Sequence, residues 1–215
     1  MTEPSCLSTI RASYDTVAVA YEELVRGHLA VSPYDRAMLA AFADQVRMDG
    51  GGPVADIGCG PGRVTAHLDT LGVEAFGVDL SQGMVDVARR TYPGLRFDVG
   101  SMTALDLADG SLGGLVAWYS IIHLPPELLP SVFAGFHRVL APGGRLLLAF
   151  KAGDELRHLD HAYGHDLSLD VHWLPPHRVA GWLADAGFDV RAQLLREPDP
   201  QEKSPQAYLQ ATRGR

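Results

Sequence analysis

The chain has 215 residues, 47% hydrophobic and 20% charged, which is the makeup of one globular domain with a single sizeable core. A formal charge of −8 argues against nucleic acid as the main partner, because neutralising phosphates needs a basic surface. Cys6 and Cys59 support neither a disulfide nor a thiol metal site, and neither Met1 to Pro4 nor any apolar run suggests a leader or a membrane span, so a cytoplasmic protein is expected.

In chain order, Cys6 to Leu29 reads as a helix with Tyr14, Val17, Ala18, Tyr21, Leu24 and Val25 on one face. Tyr34 to Met48 reads as a second helix, ended by Asp49-Gly50-Gly51-Gly52. Then comes Val54-Ala55-Asp56-Ile57-Gly58-Cys59-Gly60-Pro61-Gly62-Arg63-Val64-Thr65: an apolar run closing on an acid, a tight glycine turn, and the start of a helix. Val73 to Asp79 is the next strand, and Ser81 caps a helix running to Tyr92. Leu95 to Val99 and Leu112 to Tyr119 follow as strands, the second apolar on both faces as suits the middle of a parallel sheet.

Pro125-Pro126 opens a helix that buries Leu129, Val132, Phe133, Phe136, Val139 and Leu140, and Arg145 to Phe150 is the fifth strand. Ala152 to Trp173 is polar, rich in histidine and without clean periodicity; it reads as an active-site cap loop. A last helix from Pro175-Pro176 ends at Gly187, before strands Phe188 to Arg196 and Ala207 to Thr212. The alternation predicts one α/β domain over residues 1–215 with a doubly wound parallel sheet. Residues 1–50 lead, 51–151 form the core, 152–174 the cap, and 175–215 the closing helix and strands.

The glycine turn differs from both better-known phosphate loops. Gly60 is followed by Pro61, Gly62 and Arg63, which breaks the dinucleotide spacing, and no lysine stands nearby to complete a nucleoside-triphosphate loop. Asp79 closes the second strand about twenty residues after the turn, where a ribose diol is held. In a parallel sheet the ligand lies beyond the carboxyl ends of the strands, here Asp56 to Gly60, Asp79-Leu80, Gly100 to Met102, Trp118 to His123 and Lys151-Ala152.

Asp-x-Gly-x-Gly-x-Gly, Asp79 followed by Leu80-Ser81-Gln82-Gly83-Met84, and Leu140-Ala141-Pro142-Gly143-Gly144-Arg145-Leu146-Leu147-Leu148 together resemble the class I S-adenosylmethionine-dependent methyltransferases, from Val54 to about Phe150. The Ile122-His123-Leu124-Pro125 stretch resembles their small-molecule branch. The likeness implies a Rossmann-like sheet of about seven strands, the last antiparallel, under an N-terminal helical lid. It implies a cofactor site of Asp56, Gly58, Cys59, Gly60, Arg63, Asp79, Leu80, Met84, Ser101, Met102, Trp118 and Tyr14, with Gly58 and Gly60 against the methionine portion and Asp79 on the ribose.

Two positions depart from the pattern: Ser101 stands where an acid usually reads adenine, and Gly113-Gly114 where an acid often precedes the fourth strand. His123 is the candidate general base, the alternative being a structural histidine bonded to a backbone carbonyl. Tyr14, Tyr21, Tyr119, His161 and His172 are candidate acceptor contacts, and no metal-site spacing is present. The expected activity is methyl transfer to a small-molecule O- or N-nucleophile by a monomer or homodimer, with neither nucleic acid nor membrane as partner. A non-methylating reaction on the same fold, such as a cyclisation, and a silent cofactor-binding partner protein stand as alternatives.

Overall fold

Four consecutive buried residues, Val54–Ile57, form β1, and burial on both faces places it at the centre of a sheet. The computed structural model describes residues 5–214, so the reading of Met1 to Pro4 lies outside the described residues. β1 pairs in parallel with β2 (Ala75–Asp79) and β4 (Leu112–Trp118); β2 pairs with β3 (Arg96–Val99), and β4 with β5 (Leu140–Lys151). β9 (Gln206–Arg213) runs antiparallel between β5 and β8 (Phe188–Arg196), giving the order β3-β2-β1-β4-β5-β9-β8. This is the doubly wound sheet expected from the alternation of strands and helices.

Strand periodicity sorts the core into two layers. Ala55, Ile57, Leu115, Ala117, Leu146, Leu148 and Phe150 pack with α6 (Leu129–Val139) and α7 (Pro176–Asp185). Val54, Val116, Leu147, Ala149 and Tyr208 pack with α3 (Pro33–Met48) and α4 (Arg63–Thr70). Each fully buried large apolar side chain contributes roughly 1.5–3 kcal/mol. The two glycines near the start of β4 have a packing reason. A Cβ on Gly114 would lie 2.8 Å from the Phe42 ring, and one on Gly113 would lie 2.3 Å from the Gly51 carbonyl oxygen.

Several boundaries differ from expectation. The leading helix divides into α1 (Ser5–Val25) and the short α2 (His28–Val31), and α6 is preceded by a 3-10 turn at Pro126–Leu128. α5 (Gln82–Thr91) is capped as expected, Ser81 Oγ accepting from the Met84 N–H at 3.0 Å.

The larger correction is the cap. Residues 152–174 are not a loop but an antiparallel hairpin, β6 (Glu155–Ala162) with β7 (His165–Trp173), in a sheet of its own. Its turn is Tyr163-Gly164 with φ of 57° and 78°, the mirror-image turn that matches strand twist. In β7, Leu167, Leu169, Val171 and Trp173 are buried or half-buried while His165, Asp166, Ser168 and Asp170 are exposed, a period of two.

Candidate active site

The glycine turn gives each of its glycines a different task. Gly58, Gly60 and Gly62 all have positive φ, at 75°, 54° and 84°, a region costly for side chains. A Cβ on Gly58 would stand 2.3 Å from Ser120 Cβ, and one on Gly62 would stand 2.7 Å from the Phe97 ring. On Gly60 the nearest atom would be Tyr21 at 3.9 Å. Gly58 and Gly62 are therefore required by packing, whereas Gly60 leaves open space beside the backbone.

That space belongs to a cavity over the carboxyl ends of β1, β2 and β4. Asp56 lies fully buried on its floor. One carboxylate oxygen accepts from Thr65 Oγ1 at 2.7 Å and the other has no partner. Burial raises its pKa to about 7. Arg63, first residue of α4, lies near the Tyr21 phenol and leaves Nη1 buried and without a partner. An unpaired acceptor and an unpaired guanidinium donor lining one cavity complement a zwitterionic amino-acid group.

Asp79 accepts from the Gly60 N–H at 2.8 Å and from the Ser81 N–H at 2.9 Å, one bond to each oxygen. Each oxygen keeps a lone pair, so the carboxylate is aimed and still able to hold a vicinal diol. Burial raises its pKa to about 6. Leu80, Met84, Ser101 and Met102 line the neighbouring wall. The Ser101 hydroxyl is taken by Thr103, at 2.8 Å from Oγ1 and 3.2 Å from the amide nitrogen, which makes it a local turn element. Cys59 also lines the cavity; burial pushes its thiol pKa well up, so it serves as a small filler.

Beyond β4 the chain turns through Tyr119, a non-glycine residue at φ 54°, an unfavourable conformation that the surrounding packing holds. Trp118 packs edge-on against Tyr119 and tilted against Tyr208, and the Tyr208 hydroxyl donates to buried Asp35 at 2.6 Å. Ser120 Oγ donates to the Ile57 carbonyl at 2.7 Å, tying this turn to β1.

His123 Nε2 lies 2.6 Å from the Tyr14 hydroxyl, and Nδ1 lies 3.1 Å from the Asp170 backbone carbonyl. A carbonyl only accepts, so Nδ1 carries the hydrogen and Nε2 accepts from Tyr14. Burial holds the imidazole pKa down at about 4 and pushes the Tyr14 phenol up, so the pair is neutral. His123 makes the backbone-carbonyl bond expected of a structural histidine and also lines the cavity.

The lid comes from two distant segments. α1 is fastened through Asp15, whose Oδ1 accepts from Ser81 Oγ at 2.6 Å and from the Gly83 N–H at 2.9 Å. The hairpin meets α1 where Ser13 Oγ donates to the Ser168 carbonyl at 2.8 Å and where the Tyr21 and Tyr163 rings lie edge to face at 5.1 Å. Tyr14, Tyr21 and Tyr119 reach the cavity; His161 and His172 do not. His161 is exposed and pairs with Asp166 at 2.9 Å across the hairpin. His172 borders a separate depression with Trp173, Arg178 and Trp182. Both expectations rested on a loop folding inward, and the hairpin holds these side chains away. Sequence reading did not find Leu7, Ile10 and Leu124 as cavity walls or Asp15 as the lid anchor.

Residues 54–144 match a family model described as a methyltransferase domain. The chain is 27% identical over 213 residues to phosphoethanolamine N-methyltransferase 1 of Triticum aestivum, covering 91% of this chain and 42% of the relative. It is 32% identical over 142 residues to demethylmenaquinone methyltransferase of Chlorobaculum parvum, covering 64% of this chain and 57% of the relative. The chain thus spans about half the length of these curated relatives. In fold it is similar to the Burkholderia thailandensis 1,6-didemethyltoxoflavin-N1-methyltransferase, solved with 1,6-didemethyltoxoflavin and S-adenosylhomocysteine bound. That likeness has a TM-score of 0.72 at 19% identity and covers 100% of this chain and 93% of the other. Residues 54–144 are thus a methyltransferase domain by family match, and the sheet order of the whole chain is that of the methyltransferase fold.

Proposed function

We propose that this protein transfers a methyl group from S-adenosylmethionine to an O- or N-nucleophile on a small molecule. The observation that carries the reading is the pair of buried, unpartnered atoms, Asp56 Oδ1 and Arg63 Nη1, in the cavity that Asp79 also lines. Asp56 would accept from the amino-acid ammonium, Arg63 would donate to its carboxylate, Gly60 would leave room for the chain between them, and Asp79 would hold the sugar hydroxyls. Leu80, Met84 and Met102 would enclose the base. When bound, the cofactor supplies an electrophilic methyl on a positively charged sulfur.

The protein's own work is orientation and dryness. Trp118, Tyr119 and Tyr14 form aromatic walls suited to a cationic centre, and α1 covers part of the cavity through Leu7, Ile10, Tyr14 and Tyr21. His123, acting through Tyr14, is the group able to take a proton from the acceptor. The names of the wheat and Burkholderia relatives both describe methylation of small molecules, which supports the acceptor class and leaves its identity open. Calorimetry with S-adenosylhomocysteine tests the reading: one-site binding is expected, weakened in Asp79→Ala by about 1–3 kcal/mol, the range for charge-assisted hydrogen bonds. No binding, or unchanged affinity in the variant, would overturn it. Transfer of labelled methyl across a metabolite panel then separates an enzyme from a silent binder.

A further inference from the structure

Resting on that reading of the cofactor, we propose that the acceptor is an uncharged molecule with an apolar body that presents an O–H or N–H hydrogen to Tyr14 Oη. The Asp170 carbonyl fixes the hydrogen of His123 on Nδ1, so Nε2 offers a lone pair. Tyr14 donates its single hydrogen to that lone pair at 2.6 Å. What the tyrosine still offers is oxygen lone pairs, so the dyad presents an acceptor to a bound molecule. The complementary ligand group is a donor.

The surroundings point the same way. The cavity that the dyad lines also has Leu7, Ile10, Leu124 and the Tyr119 ring among its walls. The charged side chains lining the cavity, Asp56, Arg63 and Asp79, are those that the cofactor's amino-acid and sugar groups engage. A carboxylate or phosphate placed against Tyr14 would set lone pair against lone pair and bury a charge without a counter-ion. The neutral state of the dyad, held by burial of both rings, leaves it without a positive charge to offer.

The same geometry accounts for the proton. As the acceptor oxygen or nitrogen forms its bond to the methyl carbon and the sulfur–carbon bond breaks to leave a neutral thioether, the acceptor's hydrogen passes to Tyr14 Oη. The tyrosine's own hydrogen passes to His123 Nε2, giving an imidazolium whose Nδ1–H stays on the Asp170 carbonyl. A carboxylate acceptor would bring no hydrogen to this relay.

The test is binding, not turnover. Protein saturated with S-adenosylhomocysteine is titrated at pH 7 with 2-naphthol, 2-methoxynaphthalene and 2-naphthoate, which share one body and differ in the group presented. 2-Naphthol is expected to bind about 10-fold more tightly than either of the others, the worth of roughly one hydrogen bond. In Tyr14→Phe that preference over 2-methoxynaphthalene disappears. The wild-type comparison decides the matter even if the variant folds poorly. Equal or tighter binding of the naphthoate or the methyl ether, or no binding of any of the three, overturns the proposal while leaving the cofactor reading intact. Failure of S-adenosylhomocysteine itself to bind removes the cofactor reading instead, and this proposal with it.

Discussion

At one end of the cavity the ligand-facing groups sit on backbone fixed by the sheet. Asp56 is the penultimate residue of β1, Gly58 and Gly60 follow the strand, and Asp79 closes β2 with two main-chain N–H groups aiming its oxygens. At the other end the groups come from α1 and from the turn after β4, with the hairpin packed behind them. They are held by Tyr14–His123, Ser13–Ser168 and one tyrosine pair. The first end is local chemistry on rigid elements; the second is assembled from segments 47 to 155 residues apart. A family can therefore keep its cofactor while changing its acceptor, because the two ends depend on different parts of the chain.

The two ends of the cavity differ most at His123. His123→Ala should lower kcat by about 10²–10⁴, the usual worth of a positioned acid–base group, with S-adenosylhomocysteine affinity unchanged. Steady-state kinetics with an identified acceptor, beside calorimetry, would show the split. A matching loss of cofactor affinity would mean the two ends are not separable.

Next in size is the contrast within the glycine turn. Gly58→Ala combines a left-handed backbone with a Cβ 2.3 Å from Ser120, and should cost about 2–5 kcal/mol of stability. Gly60→Ala meets nothing within 3.9 Å and should cost only about 1–2 kcal/mol, while weakening cofactor binding by more than it weakens the fold. Denaturant melts and calorimetry on both variants distinguish a packing glycine from a ligand glycine.

The pH dependence follows from the buried carboxylates. In the free protein Asp56 and Asp79 titrate near 7 and 6, above their unfolded range, because burial penalises the charged forms. Ammonium and hydroxyl donors favour the ionised forms, so binding should release protons. S-Adenosylhomocysteine affinity should then rise by roughly one to two orders of magnitude from pH 5.5 to 7.5 and level off above. Calorimetry in two buffers of different ionisation enthalpy reads the released protons; proton uptake would contradict the assignment.

The smallest effect belongs to the hairpin tip. Gly164→Ala replaces a glycine at φ 78° with open space around it, and should cost about 1–2 kcal/mol of strain. Cofactor affinity should stay the same, and amide exchange should speed up in β6 and β7 alone.

How far the sequence reached follows the same division. The strand–glycine–helix stretch and Asp79 were legible because period, turn chemistry and a closing acid are all local, set by a few neighbouring residues. The hairpin was not, although Leu167, Leu169, Val171 and Trp173 alternate cleanly. The surrounding histidines and aspartates suggested an irregular polar segment, and the two-residue turn at Tyr163-Gly164 is weak evidence without Asn or Asp before the glycine. His123 could be named as a candidate base from its place after β4, but its partners lie 109 and 47 residues away in the chain. The amino-acid order by itself determined the sheet, the glycine turn and the cofactor-side acids. Only the tertiary structure decided which lid side chains meet over the cavity, because that depends on how α1 and the hairpin pack across the finished sheet.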